Sequence, residues 1–253
     1  MFNIFVGHRE PQKKQRTTEL NLCTTLINSA ILCEHKISST MLQTNPDIEK
    51  YIIDYTTKED PILTELNRHT HLRTIYPQMM AGHLQGKLLE MLSRMISPKY
   101  ILEIGTFTGY SAICLAKGLA QDGHLYTIEK NDELISFTTS FFEKARLTDK
   151  ITQLSGDARK IIPTLNIVFD LVYIDGEKKE YVDYYRLSFS KVRAGGWLIA
   201  DNALWGEKVL EKHEPSDDST RGILEFNEFV RQDDRVENLI LPIRDGVMLI
   251  RKK

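Results

Sequence analysis

The chain has 253 residues, 42% hydrophobic and 27% charged, with a formal net charge of −2. That length and balance fit a globular protein with one substantial core, and they offer no general basic field for a nucleic-acid backbone. No apolar run approaches the ~20 residues of a membrane-spanning helix. Three cysteines, Cys23, Cys33 and Cys114, without a C-x-x-C spacing argue against a disulfide framework and fit the cytoplasm.

Residues 1–40 open on the basic, polar HREPQKKQR and continue through LNLCTTLINSAILC, which Asn21, Thr24, Thr25 and Asn28 interrupt. A secretory leader has a stronger apolar run and a small-residue cleavage site. The segment therefore reads as a poorly packed N-terminal extension, and 41–253 as one domain. From Asn45 to Ser97 the apolar residues recur at three- and four-residue spacing, which predicts a helical cap over 41–97, with Asn45 and Asp47 as candidate caps. His69 and His71 fall inside this region. On a strand they would share a face and could bind metal, whereas on a helix they are a solvated or locally hydrogen-bonded pair.

The period then changes, marking a core over 98–253. YILEIG, HLYTIEK, ITQLSGD, FDLVYIDG and GGWLIADN are five short apolar runs, separated by amphipathic stretches near 109–120, 131–146, 157–164 and 178–191. Such alternation predicts a doubly wound α/β sheet, parallel and covered by helices on both faces. After a further helix near 220–232, VENLILPI and GVMLIRK are joined by Arg244-Asp245-Gly246. Two strands that close cannot be linked by a right-handed crossover, so one must run antiparallel. The expectation is a seven-stranded, mostly parallel sheet with one antiparallel strand at its end.

LEIGTFTGYS, at 102–111, comes after the first strand and opens a helix, the place where doubly wound sheets bind nucleotides. Its spacing is Glu103-x-Gly105-x-x-x-Gly109, not the G-x-G-x-x-G of dinucleotide-binding proteins. A carboxylate at the strand end would repel a pyrophosphate but suits a ligand bearing an ammonium and a sulfonium. Glu129, ending the second strand, can take both hydroxyls of a ribose, and Asp157-Ala158 comes after the third strand where an adenine ring would lie. Each acid alone could equally be a helix cap or a solvated strand end.

Taken in order, LEIGTFTGYSAICLA, HLYTIEK, GDA, YIDGEKKEY and IADNALW resemble the S-adenosylmethionine-dependent O-methyltransferases of the caffeoyl-CoA and catechol type. The likeness runs from about Met41 to the C-terminus. It implies the Rossmann-like fold of class I methyltransferases and transfer of a methyl group to a small phenolic acceptor. It also implies two adjoining sites, one for S-adenosylmethionine and one for a divalent cation. Glu103, Gly105, Thr106 and Ser111 would border the methionine and ribose parts of the cofactor, Glu129 the ribose hydroxyls, Ala158 the adenine, and Glu177 the cofactor as well. Met79 and Ala81 match the helix that closes over the cofactor, although core packing explains Met79 equally well. A homodimer is implied too, and neither a nucleic-acid nor a membrane partner.

Strands four and five end on Asp175 and on Asp201-Asn202. If neighbours, they bring two carboxylates and an amide oxygen to one cleft, a hard donor set for Mg²⁺, Mn²⁺ or Ca²⁺. The plain alternative is that Asp175 caps the next helix and Asp201 caps a loop. Lys178, one helical turn beyond Asp175, matches the family's general base, and Asp-x-x-Lys spacing selects it over Lys179. Trp205 would wall an aromatic acceptor or be ordinary core. The plant members of the family carry an alanine between two acids after strand four where this chain has Gly176, and an asparagine after the Trp where this chain has Gly206. Those departures leave the acceptor unnamed. The competing readings are a macromolecule-directed methyltransferase, a nicotinamide-dependent oxidoreductase and a cofactor-binding protein without catalysis.

Overall fold

The computed structural model describes residues 46–253 apart from His213 and Pro215, so the expected extension over 1–40 and the Asn45 cap lie outside the described residues. The chain divides into two units between Thr56 and Thr57, sixteen residues beyond the expected domain start at 41. Helix α1, Pro46–Tyr55, belongs to the first. The second opens with α2, Pro61–Arg73, which Asp60 caps by accepting a hydrogen bond from the Ile62 N–H at 2.9 Å, with Pro61 in the first turn. His69 and His71 lie on this helix. The ring of His71 is bonded to the Asn67 carbonyl one turn back, the local bond expected of a helical pair, whereas that of His69 stands edge-on to the distant Phe141. A single 3-10 turn, Pro77–Met79, leads to α3, Gly82–Ile96. Its inward face carries Gln85, Gly86, Leu89, Glu90 and Ser93, the spacing of an amphipathic helix.

The remainder alternates strands and helices: β1 Tyr100–Ile104, α4 Tyr110–Ala116, β2 His124–Glu129, α5 Ile135–Lys144, β3 Ile151–Ser155, α6 Ala158–Ile161, β4 Phe169–Ile174, α7 Tyr181–Phe189, β5 Val192–Ala200, α8 Asp218–Arg231, β6 Val236–Leu241 and β7 Val247–Lys252. The seven strands form one sheet in the order β3-β2-β1-β4-β5-β7-β6. Six run parallel, and β7 is antiparallel to both its neighbours. The antiparallel strand therefore lies one place in from the edge, and β6 ends the sheet.

The central strands read as unbroken apolar runs because both sheet faces are covered. Leu102, Ile104, Val172, Ile174, Leu198 and Ala200 pack on one side against Tyr181, Tyr185 and Phe226 of α7 and α8. Ile101, Leu171, Tyr173 and Ile199 pack on the other against Leu89, Ile113 and Phe141 of α3, α4 and α5. Among the described residues, no helix is long and apolar enough to cross a membrane.

Strand register sets up the site. Ile104 is level with Ile128 on one side and Ile174 on the other, and Ile174 is level with Ala200. The next residue of each strand, or the last in the case of β2, is Gly105, Glu129, Asp175 or Asp201. Four chemically distinct positions thus share the C-terminal edge of the sheet. The strand order reverses between β1 and β4, where an open α/β sheet leaves its crevice.

Candidate functional site

A cavity of about 800 Å³ opens over that edge. Its lining includes Met79, Gly105, Glu129, Asp157, Ala158, Asp175, Glu177, Lys178, Asp201, Asn202 and Trp205. Ala81, Glu103, Thr106 and Ser111 do not reach its surface; all four are buried just behind it. Among the described residues the lining carries eight carboxylate side chains against four cationic ones, which disfavours a pyrophosphate and favours a cationic ligand.

At the β1–β2 side, Glu129 accepts hydrogen bonds from the backbone N–H groups of Phe107 (2.7 Å) and Asn131 (2.8 Å), one on each carboxylate oxygen. The carboxylate is fixed in place, and each oxygen keeps a lone pair for a ligand hydroxyl. Asp157 caps α6 through the Arg159 N–H at 2.9 Å and also pairs with the Arg159 guanidinium, so its carboxylate is already engaged at the cavity rim. Arg159 reaches on to Glu180 at 3.1 Å, and Tyr184 donates to the same carboxyl at 2.6 Å. Together these hold a wall around Ala158.

Glu103 is fully buried beneath the glycine turn. Thr127 donates to its Oε2 at 2.5 Å, while Oε1 has no hydrogen-bond partner among the described residues. Burial pushes its pKa up from 4.5 to about 8, against the pull of the Ser111 and Thr127 hydroxyls. A buried acid with an unfilled acceptor fits a site for a ligand cation. The folded state holds this proton more tightly than the unfolded chain, so the group destabilises the fold increasingly as pH rises from 4.5 to about 8. Glu103→Gln is expected to raise the thermal midpoint of the ligand-free protein at pH 8. The gain should vanish toward pH 4.5, and equal midpoints across the whole range would exclude a perturbed Glu103.

On the β4–β5 side the two strand ends converge. The Asp201 N–H donates to the Ile174 carbonyl at 3.0 Å, which sets Asp201 beside Asp175. Asp201 Oδ1 accepts from the Asn202 N–H at 2.8 Å, and Oδ2 accepts from Gln85 Nε2 at 2.7 Å and from the Tyr173 hydroxyl at 3.3 Å. Asp175 Oδ1 accepts from Lys178 Nζ at 2.9 Å, and Lys178 also donates to the Tyr181 hydroxyl at 2.9 Å. Burial, with the neighbouring Asp201 charge, pushes the Asp175 pKa up, although Lys178 works the other way. Burial opposes the charge on Lys178, but Asp175 and Tyr181 hold its pKa above the ordinary lysine range. Asn202 sits in the left-handed region, with φ +58°, and donates its amide to Asp245 Oδ2 at 3.2 Å. Its carbonyl oxygen is the end left for a cation. Two crowded carboxylates and one amide oxygen fit a hard divalent ion. Trp205 is both wall and core: it lines the cavity, packs on the buried cluster, and donates through its indole N–H to Thr220 at 3.0 Å.

Four residues of this site were given no role by the sequence. Gln85 and Tyr173 brace Asp201 from behind, and Arg244 and Asp245 reach the cavity from the β6–β7 turn. Gln85 had one available signal, a buried amide on the apolar face of α3.

Comparison with known proteins bears on the same region. A family model described as O-methyltransferase matches residues 53–253. Caffeoyl-CoA O-methyltransferase 1 of Eucalyptus globulus is 32% identical over 181 residues, covering 66% of this chain and 72% of that protein. The flavonoid 3',5'-methyltransferase of Vitis vinifera is 32% identical over 179 residues, covering 66% of this chain and 76% of its own length. Among solved structures, the O-methyltransferase TomG of Streptomyces achromogenes, in complex with S-adenosylmethionine, superposes with a TM-score of 0.75 at 30% identity. That match covers 82% of this chain and 96% of TomG.

Proposed function

Because the chain belongs to the O-methyltransferase family, we propose that it is a divalent-metal-dependent enzyme that moves the methyl group of S-adenosylmethionine onto a hydroxyl of a small catechol-like phenol. The observation that carries this reading is the convergence of Asp175, Asp201 and Asn202 at one end of a cavity whose other end presents Glu129 and Ala158. The acid-rich lining supports a sulfonium ligand over a nicotinamide dinucleotide. The names of the caffeoyl-CoA and flavonoid relatives support a phenolic acceptor. A cavity of about 800 Å³ has room for a cofactor and one small acceptor.

Asp175, Asp201 and Asn202 would hold the cation. When bound, a divalent ion lowers the pKa of a coordinated hydroxyl and orients it. The protein's own groups supply the rest. Glu129 anchors the ribose, and Glu103, buried beneath Gly105 and protonated at neutral pH without ligand, would ionise in answer to the cationic methionine part. Trp205 walls the acceptor ring, and Lys178 would take the hydroxyl proton, since a divalent cation held by Asp175 would offset the carboxylate charge that keeps this lysine protonated and so favour its neutral form. The acceptor oxygen forms a bond to the methyl carbon as the sulfur–carbon bond breaks, and the sulfur keeps the electron pair. Opposite charges are neutralised in that step, so alignment in a desolvated cavity lowers the barrier.

The test is methyl transfer from labelled S-adenosylmethionine to a panel of catechols, with Mg²⁺ and with chelator. Chelation should slow transfer by at least about a hundredfold, and Mg²⁺ should restore it. Transfer that ignores chelator would sink the metal, and the absence of transfer to any catechol would sink the acceptor class.

A further inference from the structure

The turn Arg244-Asp245-Gly246 links β6 to β7, and a hairpin needs nothing from it beyond reversing the chain. Here it does more on both of its sides. The Asp245 carbonyl accepts from the Leu204 N–H at 2.7 Å, and the Gly246 carbonyl accepts from the Ala203 N–H at 2.9 Å. The Asp245 carboxylate holds the Asn202 amide. That side fixes the Asn202–Trp205 wall of the cavity. On the other side the Arg244 guanidinium donates to three backbone carbonyls, those of Gln78 (3.1 Å), Met80 (2.7 Å) and Ala81. These lie in the segment that carries Met79, which lines the cavity, is 59% exposed and stands outside both hydrophobic clusters.

Arg244 itself stands at φ +50°, in the left-handed region where a side chain costs energy and glycine does not. A glycine would serve the turn better. The arginine is explained by what its side chain does.

We propose that Arg244 is a positioning residue for the acceptor end of the cavity: its guanidinium fastens the Gln78–Ala81 segment, and Met79 with it, to the turn that holds Asn202 and Trp205. The proposal rests on the methyl-transfer function for the meaning of "acceptor end", but the tether itself does not depend on it. Arg244 acts through the walls it joins, although its charge also favours the ionised form of Asp175. It fixes the distance between the two walls that a ring must enter between.

Arg244→Gly isolates the tether in the full-length protein, because glycine accepts the turn's geometry and only the guanidinium is lost. Amide hydrogen exchange over 78–82 should quicken by roughly tenfold, the scale of losing charge-assisted hydrogen bonds, while exchange in the sheet stays unchanged. The catechol KM should rise by about five- to twentyfold with kcat altered less than about threefold, the mark of lost positioning before the chemical step. Arg244→Lys, which can reach one carbonyl at a time, should recover part of the KM. Unchanged exchange over 78–82 would overturn the tether. Faster exchange throughout the sheet, with KM and kcat failing together, would also overturn it by showing a merely structural role. If wild-type protein methylates no catechol, the proposed function fails, and the exchange measurement still decides whether Arg244 holds the segment.

Discussion

Asp201→Asn is expected to lower methyl transfer to a catechol on the order of a thousandfold, the loss typical of removing one preorganised charge from a reaction centre. Cofactor affinity should stay within about threefold, since the bonds of Asp201 run to Gln85, Tyr173 and Asn202, away from the Glu129 end. The fold should tolerate the change. Asparagine keeps the shape, its carbonyl can still accept from the Asn202 N–H, and Gln85 can rotate end for end so that its carbonyl oxygen accepts from both the new amide and the Tyr173 hydroxyl. The removed charge is also one of the groups that push Asp175 up, so its loss relieves crowding. Stability should therefore move by no more than about 1 kcal/mol, roughly 2–4 °C in the thermal midpoint of a chain this size. Calorimetric titration with Mn²⁺ gives an independent reading, because the variant should lose most of its affinity for the ion. A variant that keeps wild-type turnover and wild-type Mn²⁺ binding would remove Asp201 from the metal site.

How far the site could be read in the sequence depended on the range of each interaction. The strands were legible because residues such as Leu171-Val172-Tyr173-Ile174 are buried on both faces and form unbroken apolar runs. Asp175 and Asp201 were legible because each closes such a run with a charge. Helix lengths were less so. The stretch expected over 109–120 is helical only to Ala116; Gly118, a weak helix former, comes two residues later, at a position where any side chain would strike Ser93. The stretch near 157–164 tightens into a 3-10 turn at Ile162–Thr164, where Pro163 lacks the N–H that a longer α-helix would use. Arg244 was read only as part of a turn, since its partners lie 163 to 166 residues away and a backbone carbonyl leaves no trace in composition. Gln85 and Asp201 are similarly 116 residues apart.

Gly105→Ala should be the most damaging single methyl group in the core of the site. The residue has φ +99°, outside the region that an L-residue readily adopts, and that strain alone costs roughly 1–3 kcal/mol. Its missing side chain also has nowhere to go: an added Cβ would lie 2.2 Å from the Asp175 carbonyl oxygen and 2.7 Å from the carbonyl carbon. Neither neighbour can retreat cheaply. The Gly105 N–H is bonded to the Ile128 carbonyl at 3.0 Å, and the Asp175 N–H is bonded to the Ile104 carbonyl at 2.8 Å. Prising β1 from β4 at this point should bring the total to at least about 3 kcal/mol, a fall of roughly 6–12 °C in the thermal midpoint. It would also shift Asp175, a candidate metal ligand, and a displacement near 1 Å can cost about a hundredfold in rate. Gly206→Ala is the control. That glycine also has positive φ, at +57°, but an added Cβ meets nothing within 4 Å, so only the small cost of a left-handed alanine remains. If Gly105→Ala were no less stable than Gly206→Ala, the close packing of the glycine turn against Asp175 would be wrong. If it were destabilised yet kept full activity, the turn would be structural and Asp175 would not need the position that Gly105 allows it.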